Sequence, residues 1–184
     1  MPNIEIEHRA RFGEGKYIEL KRWLEEKIAS GEVKDLGEDN REAHFFVFKD
    51  KFFKVTKNIS KDFAKICLKM NKIGQGADAE EIEVEIKPAD VPTMVKICQE
   101  TMAFDTYVPS NQKRHNYIYQ GVELALKHSD EWGYHLELEV MIDDLAKKPE
   151  AEKLIEKVSG ELGVQIMTDQ ELEHLTSTIE AKNK

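Results

Sequence analysis

The chain of 184 residues carries a formal net charge of −9, with 40% hydrophobic and 34% charged residues. This length suits one domain with its own core, and the acidic balance argues against a general nucleic-acid binder. Two cysteines, Cys67 and Cys98, are too few for a disulfide framework and lack the spacing of a metal site. The sequence contains neither a membrane-spanning segment nor a signal-peptide core, so we expect a cytoplasmic protein without a membrane partner.

The first predicted element is a strand with the sequence NIEIEHRARF, over residues 3–12. Because strand side chains alternate between two faces, Glu5, Glu7 and Arg9 share one face with Arg11, whereas the apolar residues lie opposite. An amphipathic helix is predicted within residues 13–33, ending near Gly31. The mixed charges of the first strand either contact solvent or line a charged cavity.

Four short strands are predicted between residues 42 and 86, with the sequences EAHFFVF, KFFKVTKN, FAKICLKM and EEIEVEIK. Hairpin turns are predicted at Lys49-Asp50-Lys51 and at Gly74-Gln75-Gly76. A second helix is predicted over residues 88–104, with prolines near its start.

Two further strands are predicted over residues 113–126 (KRHNYIYQGVELAL) and 133–142 (GYHLELEVMI). Two helices follow in a tail that begins at about residue 149, with Gly163 and Thr168 as stop and start signals. We therefore predict a single domain over residues 1–184, of the α+β class.

The acidic alternation of the first strand returns twice. Glu81, Glu83 and Glu85 share one face of their strand, and Glu137 and Glu139 share another with His135. The apolar residues between these glutamates are expected to lie under helices. His135 is expected either in a metal shell or at the surface.

Strands with basic faces lie between the acidic ones in the sequence, carrying Lys54, Lys65, Lys69 and Arg114. Half-solvated strands are one interpretation, but stacked glutamates repel one another unless cations lie nearby. Carboxylates combined with lysine and arginine suit a polyphosphate bound with Mg²⁺ or Mn²⁺.

These motifs carry a resemblance to a known family. EIEHR resembles the Glu-x-Glu-x-Lys signature that opens the CYTH superfamily, the triphosphate tunnel metalloenzymes. FFKVT, ICLKM, EEIEVEI, KRHNY and GYHLELE resemble its later strand motifs in the same order. The resemblance implies a closed antiparallel β-barrel of about eight strands with flanking helices, and dependence on Mg²⁺ or Mn²⁺.

By position, the resemblance also implies roles for individual side chains. The implied metal ligands are Glu5, Glu7, Glu137 and Glu139, and the implied phosphate-binding residues are Arg9, Lys54, Lys69 and Arg114. Glu83 and Glu85 would act in catalysis by lining the tunnel and ordering a water molecule. Three positions depart from the family pattern: Arg9 replaces the signature lysine, and Lys54 and Thr56 stand where two arginines are often found.

The function implied by the resemblance is divalent-metal-dependent hydrolysis of an inorganic or organic triphosphate. The expected partner is therefore this small-molecule substrate, and the expected oligomeric state is a monomer or homodimer. A class IV adenylyl cyclase, which converts ATP into cyclic AMP and pyrophosphate, is the first alternative. A non-catalytic polyphosphate or nucleotide binder is the second, and an acidic barrel without a ligand is the third.

Overall fold

The computed structural model describes residues 4–70, 73 and 78–184, without the side chains of 78–80. Nine strands lie in the described ranges: β1 (Ile4–Arg11), β2 (Val33–Glu38), β3 (Arg41–Val47), β4 (Phe52–Asn58), β5 (Phe63–Lys69), β6 (Asp78–Ile86), β7 (Thr106–Tyr119), β8 (Val122–Ser129) and β9 (Gly133–Ile142). The α-helices of the same ranges are α1 (Glu14–Ala29), α2 (Val91–Thr101), α3 (Lys148–Leu162) and α4 (Asp169–Lys182). None of these helices has the length and apolarity needed to cross a bilayer.

The chain forms two compact units. Unit 1 comprises the described residues up to Glu38 together with Lys113–Met167, and unit 2 comprises Asp39–Gln112 and Thr168–Lys184. Strand β7 contributes its second half to unit 1 and its first half to unit 2.

In unit 1, β9 pairs antiparallel with β1 on one side and with β8 on the other, while β8 pairs with β7 and β7 with β2. One face of these strands is apolar and buried, with Ile6, Leu124 and Leu138 fully enclosed. Helix α3 packs on this face and buries Ile155 and Val158. The alternation of strand side chains therefore places the charged residues of β1, β8 and β9 on the opposite face.

In unit 2, β3, β4, β5 and β6 pair antiparallel in sequence order, and β3 also pairs with the first half of β7. The core is formed between these strands and α2, around Phe46, Val55 and Val95. Helix α4 begins with a capping box, in which Thr168 and Glu171 bond each other's backbone amides. Lys54, Lys65 and the β6 glutamates lie on the strand face opposite the core.

The α+β class with antiparallel strands is confirmed. Strand β2 was not predicted, because its sequence VKDLGE contains a bulge at Asp35–Gly37 instead of alternation. The single strand predicted over residues 113–126 was wrong: Gln120 and Gly121, with φ of +50° and +84°, turn the chain between β7 and β8. The turn predicted at Gly74-Gln75-Gly76 lies outside the described residues.

The apolar residues of β6 were also predicted incorrectly. Ile82 and Val84 were expected under helices, but they are 53% and 56% exposed. Within unit 2, α2 packs mainly on β4, and β5 separates β4 from β6 in the sheet.

Candidate functional site

The polar face of unit 1 gathers three carboxylates from two paired strands. Glu7 on β1 lies directly opposite Glu139 on β9, and Glu137 precedes Glu139 by two residues on the same face. The carboxylate oxygens of these three residues lie within 4.8 Å of one another. All three are buried or half-buried, so their negative charges are only weakly screened by solvent.

Glu137 is surrounded by cations. Its oxygens lie 3.3 Å from Arg9 Nε, 3.1 Å from Arg114 Nη1 and 2.9 Å from Lys127 Nζ. Burial alone would raise the pKa of Glu137, but the charges of Lys127, Arg9 and Arg114 hold it well below its ordinary value. Glu137 is therefore an ionised carboxylate that holds three bases on the same face.

Glu139 has the opposite electrostatic environment. Its pKa is raised to about 8. Burial is the largest cause, the negative charges of Glu7, Glu5 and Glu137 act in the same direction, and the positive charge of Arg114 opposes them. The only cation within ion-pair distance of Glu139 in the described part of unit 1 is Arg114, whose Nη2 lies 3.5 Å from Oε1. At neutral pH Glu139 is largely protonated unless a further cation binds beside it.

Arg9 connects this acidic group to an aromatic residue. Its Nη2 lies 2.5 Å from Glu7 Oε1, and its guanidinium carbon lies 5.6 Å from the centre of the Trp132 ring. Burial lowers the pKa of Arg9, but Glu7, Glu137, Glu5 and Glu139 raise it more, so the net shift is upward. Arg9 is a permanent cation that can bind an anion but cannot accept a proton.

His135 is 3% exposed, so the expectation of a surface position was wrong. Its Nδ1 donates to the Gly133 carbonyl at 3.0 Å, which leaves Nε2 as the acceptor nitrogen of the neutral ring. Burial and the positive charge of Lys127 lower the pKa of His135 to about 3, against the opposing charge of Glu137. His135 is not a member of the three-carboxylate group.

The charge balance of the unit 1 face favours a bound cation. Among the described residues of β1, β7, β8 and β9, five glutamates share it, Glu5, Glu7, Glu123, Glu137 and Glu139, against four bases, Arg9, Arg11, Arg114 and Lys127. Clustered carboxylate oxygens are the ligands that Mg²⁺ and Mn²⁺ prefer. Glu7, Glu137 and Glu139 therefore fit a hard divalent cation by donor type, by proximity and by net charge.

The polar face of unit 2 has balanced charges. Lys69 Nζ lies 2.9 Å from Glu81, and Lys65 pairs with Glu83. Cys67 donates a hydrogen bond to Glu81 at 3.4 Å, and its sulfur lies within 4.8 Å of oxygens of Glu81 and Glu83. This second cluster is a poorer cation site, because lysines neutralise its acids and because burial raises the pKa of Cys67 to about 12, which keeps it a thiol.

Two groups on the unit 2 face have no hydrogen-bond partner among the described residues. Lys54 makes no hydrogen bond or ion pair with any described residue. Burial raises the pKa of Glu81, but the positive charges of Lys69 and Lys54 lower it more, so the net shift is downward. The hydroxyl of Thr56, two residues along the same strand, is buried and also lacks a partner in the described ranges. An ammonium and a hydroxyl in this state are donors available to an anion.

Of the ten predicted site residues, the structure places six in unit 1: Glu5, Glu7, Arg9, Arg114, Glu137 and Glu139. The other four, Lys54, Lys69, Glu83 and Glu85, lie in unit 2. Glu83 and Glu85 are exposed, whereas Glu81 is half-buried.

Sequence reasoning missed Lys127 and Trp132 as members of these clusters, and it gave no site role to Glu81, which it placed on one face with Glu83 and Glu85. Lys127 is four residues from Glu123 on β8, so the alternation would have placed both on one face had residues 122–129 been taken as a separate strand. Trp132 lies in the β8–β9 turn, where no strand periodicity applies.

The sequence profile of the CYTH domain matches residues 3–170 of the chain. No curated protein matches it. The fold is similar to that of the PH1012 protein from Pyrococcus horikoshii OT3, at 18% identity and a TM-score of 0.68, over 91% of this chain and 99% of that one. It is also similar to a candidate adenylate cyclase from Vibrio parahaemolyticus, at 13% identity and a TM-score of 0.67, over 96% of this chain and 99% of that one. A third similar structure is HpAC1 from Hippeastrum, a candidate adenylyl cyclase with a dominant triphosphatase activity, at 17% identity and a TM-score of 0.60, over 89% of each chain.

Proposed function

Because the chain belongs to the CYTH domain family, we propose that it is a divalent-metal-dependent hydrolase of a triphosphate-containing substrate, with its metal centre on the polar face of unit 1. The observation that carries the proposal is the group of Glu7, Glu137 and Glu139, whose oxygens lie within 4.8 Å of one another. Members of this group also form ion pairs with Arg9 and Arg114. Acids alone would suit a structural ion, whereas acids interleaved with arginines suit a metal bound together with an anion.

The metal ligands in this proposal are Glu7, Glu137 and Glu139, with Glu5 adding negative charge beside them. Mg²⁺ or Mn²⁺ bound there would neutralise phosphate oxygens and orient the substrate. Burial and the neighbouring negative charges favour the neutral acid at Glu139. The positive charge of a bound cation would outweigh both effects, so Glu139 would lose its proton to solvent when the cation binds. Glu5 is not a member of the three-carboxylate group; its negative charge raises the pKa of Arg9 and of Glu139, and its role as a fourth ligand stays a prediction.

The arginines would exchange partners when substrate binds. In the structure, Arg9 and Arg114 donate to Glu137, and Arg114 also approaches Glu139. With their carboxylate partners holding a cation, the guanidinium groups of Arg9 and Arg114 would be available to bind the phosphate oxygens in bidentate geometry. The triphosphate would be held for in-line attack by water on the terminal phosphorus. The same carboxylates thus keep the bases in place before binding and hold the metal afterwards.

For unit 2, we propose Lys54 and Lys69 as further phosphate-binding residues. Lys54 and the Thr56 hydroxyl, which make no hydrogen bond with a described residue, support an anion-binding role for this face. The role of Glu83 and Glu85 in ordering a water molecule remains a prediction. Both side chains are exposed to solvent, and Glu83 forms an ion pair with Lys65.

The test is calorimetric titration of inorganic triphosphate into the protein with Mg²⁺, with Mn²⁺ and with a chelator, followed by the same titrations of Glu7→Gln. Glutamine keeps the size of the side chain but removes one of the charges that attract the cation. We expect binding that requires metal in the wild type and is at least tenfold weaker in the variant, with Glu26→Gln on the exposed face of α1 as the matched control. Equal triphosphate affinity with and without metal would reject the metal centre.

A further inference from the structure

We propose that Tyr107 is a nucleophile activated by His44 and Glu42, and that it accepts the acyl group of an aryl ester. All three residues belong to unit 2, whereas the proposed metal centre belongs to unit 1. The three side chains have no part in the hydrolase chemistry, so they form a second reactive group in the protein.

The three side chains form a hydrogen-bonded row. His44 Nε2 lies 2.9 Å from Glu42 Oε1, and His44 Nδ1 lies 2.6 Å from the Tyr107 hydroxyl. Because an ionised carboxylate can only accept hydrogen bonds, Nε2 carries the ring proton and donates to Glu42. Nδ1 of the neutral ring is then an acceptor, and the Tyr107 hydroxyl donates to it. A carboxylate that orients an imidazole, which in turn accepts from a hydroxyl, is the arrangement of an activated nucleophile.

Strand geometry brings the row together. Glu42 and His44 are two residues apart on β3, so they share one strand face with Phe46. Phe46 lies directly opposite Tyr107 of β7, which places the phenol diagonally beside His44. Because Phe46 belongs to the core of unit 2, the row lies on the core side of the sheet, opposite the face that carries Lys54.

Packing fixes the orientation of the two rings. The rings of His44 and Tyr107 are within 10° of parallel, with centres 6.0 Å apart. The Tyr107 ring also packs on Phe46, with centres 5.2 Å apart. Only 14% of the His44 side chain is exposed, so water competes little for its two hydrogen bonds. An imidazole held in this way needs little rearrangement to accept a proton from the phenol.

The phenol needs such a base in order to react. Burial raises the pKa of Tyr107, and the negative charge of Glu42 raises it further. Tyr107 therefore stays protonated at neutral pH, and its oxygen becomes a strong nucleophile only if the proton leaves during the attack. His44 is placed to take that proton, and Glu42 is placed to stabilise the imidazolium that results.

The surroundings of Tyr107 favour an apolar electrophile. Tyr107 and Phe104 are half-buried, with ring centres 6.5 Å apart, and Pro109 is exposed. Pro109 lies directly opposite His44 in the pairing of β3 with β7. Aromatic and aliphatic carbon at this position suits the ring of an aryl ester.

The proposed step is an acyl transfer. The Tyr107 oxygen bonds to the carbonyl carbon of the ester, the bond from that carbon to the phenolate of the ester breaks, and the Tyr107 proton passes to His44 Nδ1. The imidazolium, stabilised by Glu42, then releases the proton to solvent. The products are one acylated tyrosine and one free phenolate.

The first experiment treats the wild-type protein with 4-nitrophenyl acetate in the presence of a chelator and locates the acetyl groups by peptide mass spectrometry. The internal control is Tyr134, a half-buried tyrosine whose hydroxyl donates directly to Glu14 at 3.0 Å. We expect Tyr107 to be acetylated faster than Tyr134 by about tenfold or more, and the difference to vanish in denaturing urea. Equal rates at the two tyrosines of the folded protein would overturn the proposal.

The second experiment measures the same two rates in variants whose folding is checked by circular dichroism. His44→Gln keeps a polar side chain that cannot take the proton, and should slow acetylation of Tyr107 by about tenfold or more without affecting Tyr134. Glu42→Gln should also slow it, because the charge that stabilises the imidazolium is lost, whereas Glu42→Asp keeps the charge and should retain more of the rate.

An unchanged rate at Tyr107 in folded His44→Gln would overturn the proposal, because the hydroxyl would then react without a base. If His44→Gln does not fold, the comparison of Tyr107 with Tyr134 in the wild type and the Glu42 variants decides. Neither metal nor triphosphate enters these measurements, so their failure would leave the hydrolase proposal standing.

Discussion

Replacing Glu139 with glutamine should remove a pH dependence from the stability of the protein. The folded-state pKa of Glu139 is about 8, against an ordinary value of 4.5, so the folded protein binds this proton more tightly than the unfolded chain does. The contribution of this group to stability is therefore complete below about pH 4.5 and is lost as the pH rises through 8. Glutamine is neutral throughout, so the variant should not show this loss.

The size of the effect follows from the separation of the two pKa values. Each unit corresponds to about 1.4 kcal/mol, so the separation allows a loss of at most about 5 kcal/mol. Because Glu139 is coupled to Glu7 and Glu137, which can relax when it ionises, we expect about 2–5 kcal/mol. Within this range the variant should gain stability relative to the wild type as the pH rises from 5 to 9.

The assay is urea unfolding followed by circular dichroism at intervals from pH 5 to pH 9, with Glu26→Gln as the control for removing an exposed carboxylate. Mg²⁺ should restore stability to the wild type at pH 8–9 more than at pH 6, since the cation takes the place of the proton, and should stabilise Glu139→Gln less. Parallel stability curves for the wild type and Glu139→Gln would refute the electrostatic account of this group.

Two further predictions concern Arg114 and the start of α4. Arg114→Ala should weaken metal-dependent binding of triphosphate by about 1.5–3 kcal/mol, as expected for a charged hydrogen bond. Calorimetry would compare this variant with Arg22→Ala, which removes an exposed arginine on α1. Equal affinities of the two variants would mean that Arg114 has no role in binding. Thr168→Ala should lower the free energy of unfolding by about 0.5–2 kcal/mol, because it removes the hydroxyl that accepts from the Glu171 amide at 3.2 Å. Urea unfolding measures this loss, and a variant as stable as the wild type would mean that the capping box contributes nothing.

The sequence allowed prediction of which residues share a strand face, because alternation is a local property. It placed Glu5, Glu7 and Arg9 together, and likewise Glu137 and Glu139, and the structure has these groupings. It could not predict that Glu7 lies opposite Glu139, because strand partners and register depend on pairing between segments about 130 residues apart.

The electrostatic division within the site was also inaccessible to the sequence. Glu137 and Glu139 are equivalent by pattern, yet their pKa values shift in opposite directions because Arg9 and Lys127 form ion pairs with Glu137, whereas burial dominates at Glu139. The exposure of Ile82 was missed for a similar reason: alternation identifies an apolar face but not the element that covers it. Such differences arise from packing and distance, which periodicity does not contain.

The central claim, metal-dependent triphosphate hydrolysis at the unit 1 carboxylates, is tested most directly by measuring phosphate release by the purified protein. Inorganic triphosphate, ATP and thiamine triphosphate would be assayed in parallel with Mg²⁺, with Mn²⁺ and with a chelator, in the wild type and in Glu7→Gln. We predict phosphate release from at least one of these compounds that requires a divalent metal and falls at least tenfold in Glu7→Gln. No release from any of the three with either metal, or release that is unaffected by the chelator and by Glu7→Gln, would contradict the claim.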